Sequence, residues 1–249
     1  MKVADGVEML ELSAVVMGEQ NVVNPTLIWD DVEVILVDTG FPGQLPKIRA
    51  AMEKAGMPFG RIGKIIFTHH DIDHVGGMPA VLQDLPQKPE VLAHEVEKPY
   101  IQGELPSVKL TPERMALIDS QLVSLPEEQR LVMKKVFENF RDLKVGVDRT
   151  FTDGEELPYC GGIIVVHTPG HTPGHTCLYL KRSKTLIAGD SLFVTGGLLV
   201  PAPQFINHDS ETALKSLKKL TLFDIDTVIC YHGGLYRDNP GRCIAELAG

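Results

Sequence analysis

Cysteine is scarce: four in 249 residues, Cys160, Cys177, Cys230 and Cys243, with no CxxC pair. That spacing offers neither a zinc knuckle nor a disulfide framework, and it fits reduced thiols in the cytoplasm. Positive charge is in deficit. Lys and Arg total 24 against 33 Asp and Glu, a formal net charge of −9, which excludes a broad nucleic-acid or anionic-membrane surface. Long apolar runs are missing too. The longest, such as Ile163-Ile164-Val165-Val166, are strand-sized, well short of the ~18 residues of a membrane span. The first residues carry Asp5, Glu8 and Glu11 without an apolar segment, so no secretory signal is expected. What is present is a 43% hydrophobic, 23% charged chain, the balance of a globular protein. Its length suits one domain over 1–249, able to bury roughly 70–75% of its unfolded surface without a disulfide or structural metal.

The first third reads as strands and turns. A β-rich run, 32–37, ends at Asp38-Thr39-Gly40. Helical spacing over 44–55 puts Leu45, Ile48 and Met52 on one face, with Gly56 as the stop. A second buried-strand run, 63–68, stops at His69-His70-Asp71-Ile72-Asp73-His74, and a short helix follows over 78–85. Strand signal then fades. Thr111-Pro112-Glu113 marks a helix start, Thr at the N-cap and Pro at the first helical position, and another helix runs from about 125 to 140. Residues 95–146 therefore read as a helical insertion between two β-rich parts. Strands return over 162–168, 175–180 and 184–188, an amphipathic helix over 210–220, a strand over 227–231 and a closing helix over 240–247. The two halves share a loose pattern of strand, acidic or histidine turn, then helix.

Chemistry gathers at strand ends. Five of the six residues His69-His70-Asp71-Ile72-Asp73-His74 can bind metal. His69 and Asp71 can converge on one ion, Asp73 and His74 on a second. In His167-Thr168-Pro169-Gly170-His171-Thr172-Pro173-Gly174-His175, proline and glycine stiffen a loop, which fixes a ligand with little entropic cost on binding. His171 at its centre is the ligand; His167 and His175 read as packing or supporting groups. Gly189-Asp190-Ser191 and His232-Gly233-Gly234 end two further strands. Together the clusters supply four His and three Asp, donors that suit Zn, Mn or Fe(II). His70 and His208 are expected at the surface or in support, and His94 in a structural role.

In this order and spacing the residues resemble the metallo-β-lactamase superfamily, whose fingerprint is a His-x-His-x-Asp-His run, a later Gly-His-Thr-x-Gly, an Asp after a Gly, and a final His after a strand. The resemblance falls on His69, Asp71, Asp73, His74, His171, Asp190 and His232 and spans residues 37 to 234. It implies an α+β fold, the four-layer αββα sandwich, with metals at one edge and the insertion over that edge. It implies one site of His69, Asp71, His171 and Asp190, and a second of Asp73, His74, Asp190 and His232. Asp38, in the turn after the first strand, would orient a ligand histidine from behind. Asp71 departs from the fingerprint, standing where the second histidine belongs. It makes its site harder and more negative, so Mn or Fe become alternatives to Zn.

The resemblance implies a hydrolase with two divalent ions per chain, zinc first. A hydroxide bridging them would attack the carbonyl of a small ester, thioester or lactone, with Asp73 as the catalytic carboxylate that orients the water and passes a proton to the leaving group. The Gly189–Phe193 run and the His171 loop resemble glyoxalase II. That enzyme carries a helical C-terminal domain, whereas 17 residues follow His232 here. The insertion and short tail resemble lactonases, which place Tyr where Phe193 stands. Met115, Leu117, Leu122, Met133, Val136, Phe137 and Phe140 of the insertion would line a pocket, or else pack it down or form a homodimer contact. The expected partner is a small molecule, not nucleic acid or membrane, and the expected location cytoplasmic. The alternatives are an iron-dependent oxidoreductase of the same fold, similar to sulfur dioxygenase, and a non-catalytic metal-binding protein.

Overall fold

In the computed structural model, which describes residues 1–16, 18–141 (the Arg141 side chain apart) and 143–249, alternation along the strands sets the layers. The first half supplies β1 (Lys2–Ala4), β2 (Val7–Met9), β3 (Leu12–Val16), β4 (Glu19–Val23), β5 (Thr26–Trp29), β6 (Val34–Val37), β7 (Lys64–Phe67), β8 (Glu90–His94) and β9 (Arg149–Phe151). All but β3 and β4, which pair as a hairpin, join one seven-stranded sheet in the order β1-β2-β5-β6-β7-β8-β9. The second half supplies β10 (Glu156–Leu157), β11 (Ile163–His167), β12 (Thr176–Leu180), β13 (Thr185–Ile187), β14 (Leu192–Thr195), β15 (Leu198–Pro201), β16 (Thr227–Cys230) and β17 (Gly234–Tyr236). Six of these form a second sheet, β10-β11-β12-β13-β16-β17, with β14 and β15 a separate hairpin.

Side chains on a strand alternate between its two faces, and three separate cores result. Ile35, Val37, Ile66 and Leu92 of the first sheet meet Val165, Leu178, Ile187 and Ile229 of the second. Their neighbours Leu36, Ile65, Phe67 and Val91 point the other way, onto Ile48 and Met52 of α1 (Leu45–Lys54). The short α2 (Ile72–Val75) and α3 (Met78–Asp84) add Val75, Met78 and Val81 to that layer. The insertion contains α4 (Lys98–Ile101), α5 (Pro112–Leu122) and α6 (Glu127–Arg141). On the far side, Val166, Cys177, Leu186, Val228 and Cys230 pack on Leu217, Leu220 and Ile244 of α7 (Ser210–Leu220) and α8 (Pro240–Ala248). Helix, sheet, sheet, helix is the four-layer sandwich. Each fully buried large aliphatic side chain contributes about 1.5–3 kcal/mol, and the three cores together bury both faces of each sheet's central strands. That is why these strands read as continuous apolar runs rather than alternating ones.

Direction decides where loops gather. β6, β7, β8 and β9 run parallel, and parallel neighbours need crossover connections, supplied in turn by α1, by α2 and α3, and by the insertion. β13 and β16 are parallel. β11 and β12, and β12 and β13, are antiparallel, so β11 points the same way as β13 and β16. The C-terminal ends of β6 and β7, and those of β11, β13 and β16, each collect on one side of their own sheet. A bridge between Val23, at the end of β4, and His232 ties the β3–β4 hairpin to the loop after β16. Among the described residues, no helix is long and apolar enough to cross a membrane.

Candidate metal centre

Those five strand ends carry the chemistry. β6 leads to Asp38, β7 to His69 through His74, β11 to the His171 loop, β13 to Asp190 and β16 to His232. The β7 end closes into α2, whose single turn presents Asp73 and His74 while Asp71 sits extended before it. Gly189 has φ +50, and a Cβ there would lie 2.7 Å from His175 Nε2. Only glycine lets the chain turn this sharply before Asp190.

Two donor clusters result. His69, Asp71 and His171 form one, and Asp73, His74 and His232 the other, and a third group, His69, His74 and Asp190, joins them; within each, the donor atoms lie within 4.8 Å of one another. Asp71 Oδ2 is 3.4 Å from His69 Nε2 and 3.2 Å from His171 Nε2. Asp73 Oδ2 is 3.2 Å from His232 Nε2 and 3.7 Å from His74 Nε2. Asp190 stands between them: Oδ1 is 3.3 Å from His74 Nε2, and Oδ2 is 3.3 Å from His171 Nε2 and 3.4 Å from His232 Nε2. Three buried atoms, His69 Nε2, His74 Nε2 and Asp190 Oδ1, have no hydrogen-bond partner among the described residues. Each such orphan costs about 1–3 kcal/mol, and a cation accepted by all three offsets the cost at once. Imidazole and carboxylate together are the donors of zinc, manganese and iron sites. The residues fit a metal centre.

A second set of groups fixes these donors. Asp38, itself at φ 61, accepts hydrogen bonds from Thr68 N (2.9 Å) and Thr68 Oγ1 (2.8 Å), and its Oδ2 lies 2.8 Å from His74 Nδ1. Asn207 Oδ1 is 3.0 Å from His171 Nδ1. His175 Nε2 accepts from Asp190 N at 2.9 Å, while its Nδ1 meets Thr168 Oγ1 at 2.9 Å. Tyr231 stacks on His74 at 3.7 Å and donates its hydroxyl proton to the Asp73 carbonyl. Glu97 is fully buried. It accepts from His70 N (2.9 Å), pairs with His70 Nδ1, and accepts from Thr172 Oγ1 (3.0 Å) and Gly174 N (2.8 Å). One carboxylate thus ties the β7 loop to the β11 loop.

Burial and charge oppose each other throughout. Burial raises Asp190, but His232, His74 and His171 together hold it well below the usual carboxylate range. Burial likewise raises Asp71, and Lys109 and His69 overcome it, leaving the carboxyl well below its ordinary value. Burial disfavours an imidazolium at His74 and His232, yet the surrounding aspartates carry His74 well above its ordinary value and His232 to about 10. His69, where burial combines with the cationic His74, is pushed well down. Four imidazoles and three carboxylates share so small a volume that their protons are distributed by mutual need, the electrostatic mark of a site built for another cation.

The structure brings the seven donor residues and Asp38 into one locus. His70 takes the supporting place of its two expected roles: it is buried against Glu97, stacked on Tyr100 at 4.9 Å, with Nε2 3.0 Å from Ser107 Oγ. Apolar residues of the insertion line a pocket, but not one walled by the donors. Met115, Leu122, Phe137 and Phe140 wall a cavity of about 710 Å³ that also includes His70 and Tyr100, while the seven donors lie outside that wall. Leu117 is exposed. His208 is exposed, and His94 is buried and stacked on His167 at 4.1 Å. Burial raises the Cys160 thiol to about 12 and that of Cys177 to about 11, so neither is a reactive thiolate.

Three participants escaped sequence reasoning. Glu97 sits three residues beyond a strand end, where nothing local marks it. Tyr231 adjoins His232 and so had a positional signal. Lys109, from the stretch between α4 and α5, places its ammonium on Asp71 Oδ2 and His171 Nε2. It lies 38 and 62 residues from those partners, in a segment without periodicity.

Residues 18–232 match the family model described as "Metallo-beta-lactamase superfamily". The chain is 26% identical over 213 residues to "Probable metallo-hydrolase YflN" of Bacillus subtilis, covering 80% of this chain and 75% of that protein. It is 28% identical over 206 residues to the hydroxyacylglutathione hydrolase of Xylella fastidiosa, covering 82% of this chain and 57% of that one. In three dimensions it is similar to the metallo-beta-lactamase family protein TTHA1429 of Thermus thermophilus, with TM-score 0.65, 24% identity, and coverage of 98% and 79% of the two chains.

Proposed function

The chain belongs to the metallo-beta-lactamase superfamily and is a metallohydrolase, and from that premise we propose that it holds two divalent ions and hydrolyses a small ester, thioester or lactone. The observation that carries this reading is the Asp190 carboxylate, which reaches His171 of the first cluster and both His74 and His232 of the second. His69, Asp71 and His171 would hold one ion and Asp73, His74 and His232 the other, with Asp190 shared. Zinc suits the set, and Asp71 makes its site hard enough for manganese or iron.

Bound there, the ions supply a water that ionises near neutral pH and an electrophile for the substrate carbonyl. The chain supplies alignment and proton transfer. Asp38 holds Nδ1 of His74, leaving Nε2 directed at the centre, and Asn207 does the same for His171. Asp73 keeps 14% side-chain exposure and so can exchange protons with a reacting group. In this reading it takes the proton of the attacking water and returns it to the leaving group. Phe193 lies 4.7 Å from His232 without a hydroxyl, and the Tyr231 hydroxyl is committed to the Asp73 carbonyl. Neither ring offers a reacting carbonyl a hydrogen bond.

The relative named hydroxyacylglutathione hydrolase supports the thioester within this class, though the chain spans 57% of that protein's length. Four free cysteines, three of them buried, suit a reducing cytoplasm, and the charge of −9 suits a small substrate rather than nucleic acid. The test is a panel of thioesters, esters and lactones given to metal-loaded protein, beside Asp190→Ala. Hydrolysis that disappears together with the bound metal supports the reading. Turnover that survives complete metal loss overturns it.

A further inference from the structure

Among the described residues, the insertion delivers a positive charge to one of the two clusters and not to the other. Lys109 Nζ contacts Asp71 Oδ2 and His171 Nε2, two of the three donors of the first cluster. Its side chain is 11% exposed, so the ammonium is withdrawn from water into that site. The other cluster has no counterpart: among the described residues, no lysine or arginine pairs with Asp73 or Asp190. We propose that Lys109 is a built-in cation that occupies the His69–Asp71–His171 site, so that the two metal sites fill unequally and the first accepts its ion only when Lys109 swings out.

The physical reason is competition for the same electrons. The Asp71 oxygen and the His171 nitrogen that meet the ammonium are the atoms that would ligate an ion there. A nitrogen lone pair cannot serve both partners, and a lysine ammonium and a divalent cation at one point repel. Displacement needs only rotation of a long, flexible side chain, with no proton lost. The lysine is also held in place to do this. Ser107 Oγ accepts from Lys109 N at 3.3 Å and lies 3.0 Å from His70 Nε2. Glu97 grips His70 at its backbone nitrogen (2.9 Å) and grips the His171 loop through Gly174 N (2.8 Å). The turn carrying Lys109 is therefore braced against both loops that form the site. Asp71 suits this arrangement, since a carboxylate pairs with an ammonium where a neutral imidazole would only accept from it.

This inference rests on the reading of the two clusters as metal sites. The test is zinc titration against a chromophoric chelator, for the wild-type chain and Lys109→Met, which keeps the stem and removes the charge. The expected wild-type isotherm has one tight and one weaker equivalent. Lys109→Met should tighten the weaker one about ten- to hundredfold and leave the tight one unchanged. A second readout needs no variant. Acetylation of Lys109, followed by peptide mass spectrometry, should be slow in metal-free protein and after the first equivalent of zinc, and fast after the second. Two equal equivalents in the wild type, a weak site unaltered by Lys109→Met, or acetylation indifferent to zinc would each overturn the proposal. Failure of the metal-site reading looks different: neither protein would then retain any zinc against the chelator.

Discussion

Asp38 Oδ2 lies 2.8 Å from His74 Nδ1, and both side chains are buried. The carboxylate is itself pinned by Thr68 N and Thr68 Oγ1, so it cannot turn away. This pair decides which histidine nitrogen faces Asp190. Asp38→Asn replaces an acceptor-only group with an amide able to present a donor to Nδ1. Metal affinity should fall about ten- to hundredfold, as is usual when a group behind a ligand is changed. Chelator competition measures this directly, and unchanged affinity would show that His74 needs no orienting partner.

Glu97 gives the second prediction. It accepts from Thr172 Oγ1 and Gly174 N with one oxygen and pairs with His70 through the other. Glu97→Ala leaves these buried donors unanswered and should cost about 3–5 kcal/mol, as when one partner of a buried pair is removed. Urea denaturation reads the loss. Gly174→Ala should also destabilise, because a Cβ there would lie 2.5 Å from Glu97 N. Since Glu97 ties both donor loops, Glu97→Ala protein that still folds should bind metal more weakly.

The third prediction concerns pH. In metal-free protein His232 is carried to about 10 from the ordinary 6.5. A raised value means that the folded chain holds the proton more tightly than the unfolded one. The stabilisation is fully present below 6.5 and is lost as pH climbs through 10. Asp190 lies well below the ordinary 3.8, so its stabilisation is present above that value and is lost on acidification below it. His69 and His175 are pushed well below 6.5 by burial, so stability also falls as the unfolded chain takes up their protons below that value, and metal-free protein should be most stable near pH 6.5. Ligation by an ion requires neutral His74 and His232, so uptake should release protons and tighten as pH rises. Calorimetry in buffers of different ionisation enthalpy counts those protons; uptake without release would contradict a cationic His74 and His232 in the metal-free site.

The fold was legible where burial writes itself into the sequence. Ile65-Ile66-Phe67 and Val228-Ile229-Cys230 are buried on both faces, so each appears as an unbroken apolar run. The helices over Leu45–Lys54 and Ser210–Leu220 follow their apolar spacing. The hairpin of Leu192–Thr195 and Leu198–Pro201 was not among the expected strands, because each arm offers only three consecutive apolar residues, too short a run to set a period. Its Gly196-Gly197 turn, both at positive φ, was the available signal.

The metal donors were legible for a different reason. His69, Asp71, Asp73 and His74 are packed into six residues at a strand end, and such crowding has no structural use. Lys109 and Glu97 were not, because each acts on donors far along the chain through tertiary contact alone. The insertion's apolar residues suggested a roof over the metals. Met115, Leu122, Phe137 and Phe140 instead wall the cavity behind His70, and among the described residues Lys109 reaches the donors from the insertion.

The measurement that bears most directly on the central claim is anomalous diffraction at the zinc edge, from crystals grown with saturating zinc. Two peaks are expected, one among His69, Asp71 and His171 and one among Asp73, His74 and His232, with Asp190 between them. Zinc absent from all seven side chains, or one peak that Asp190 does not touch, would contradict the account.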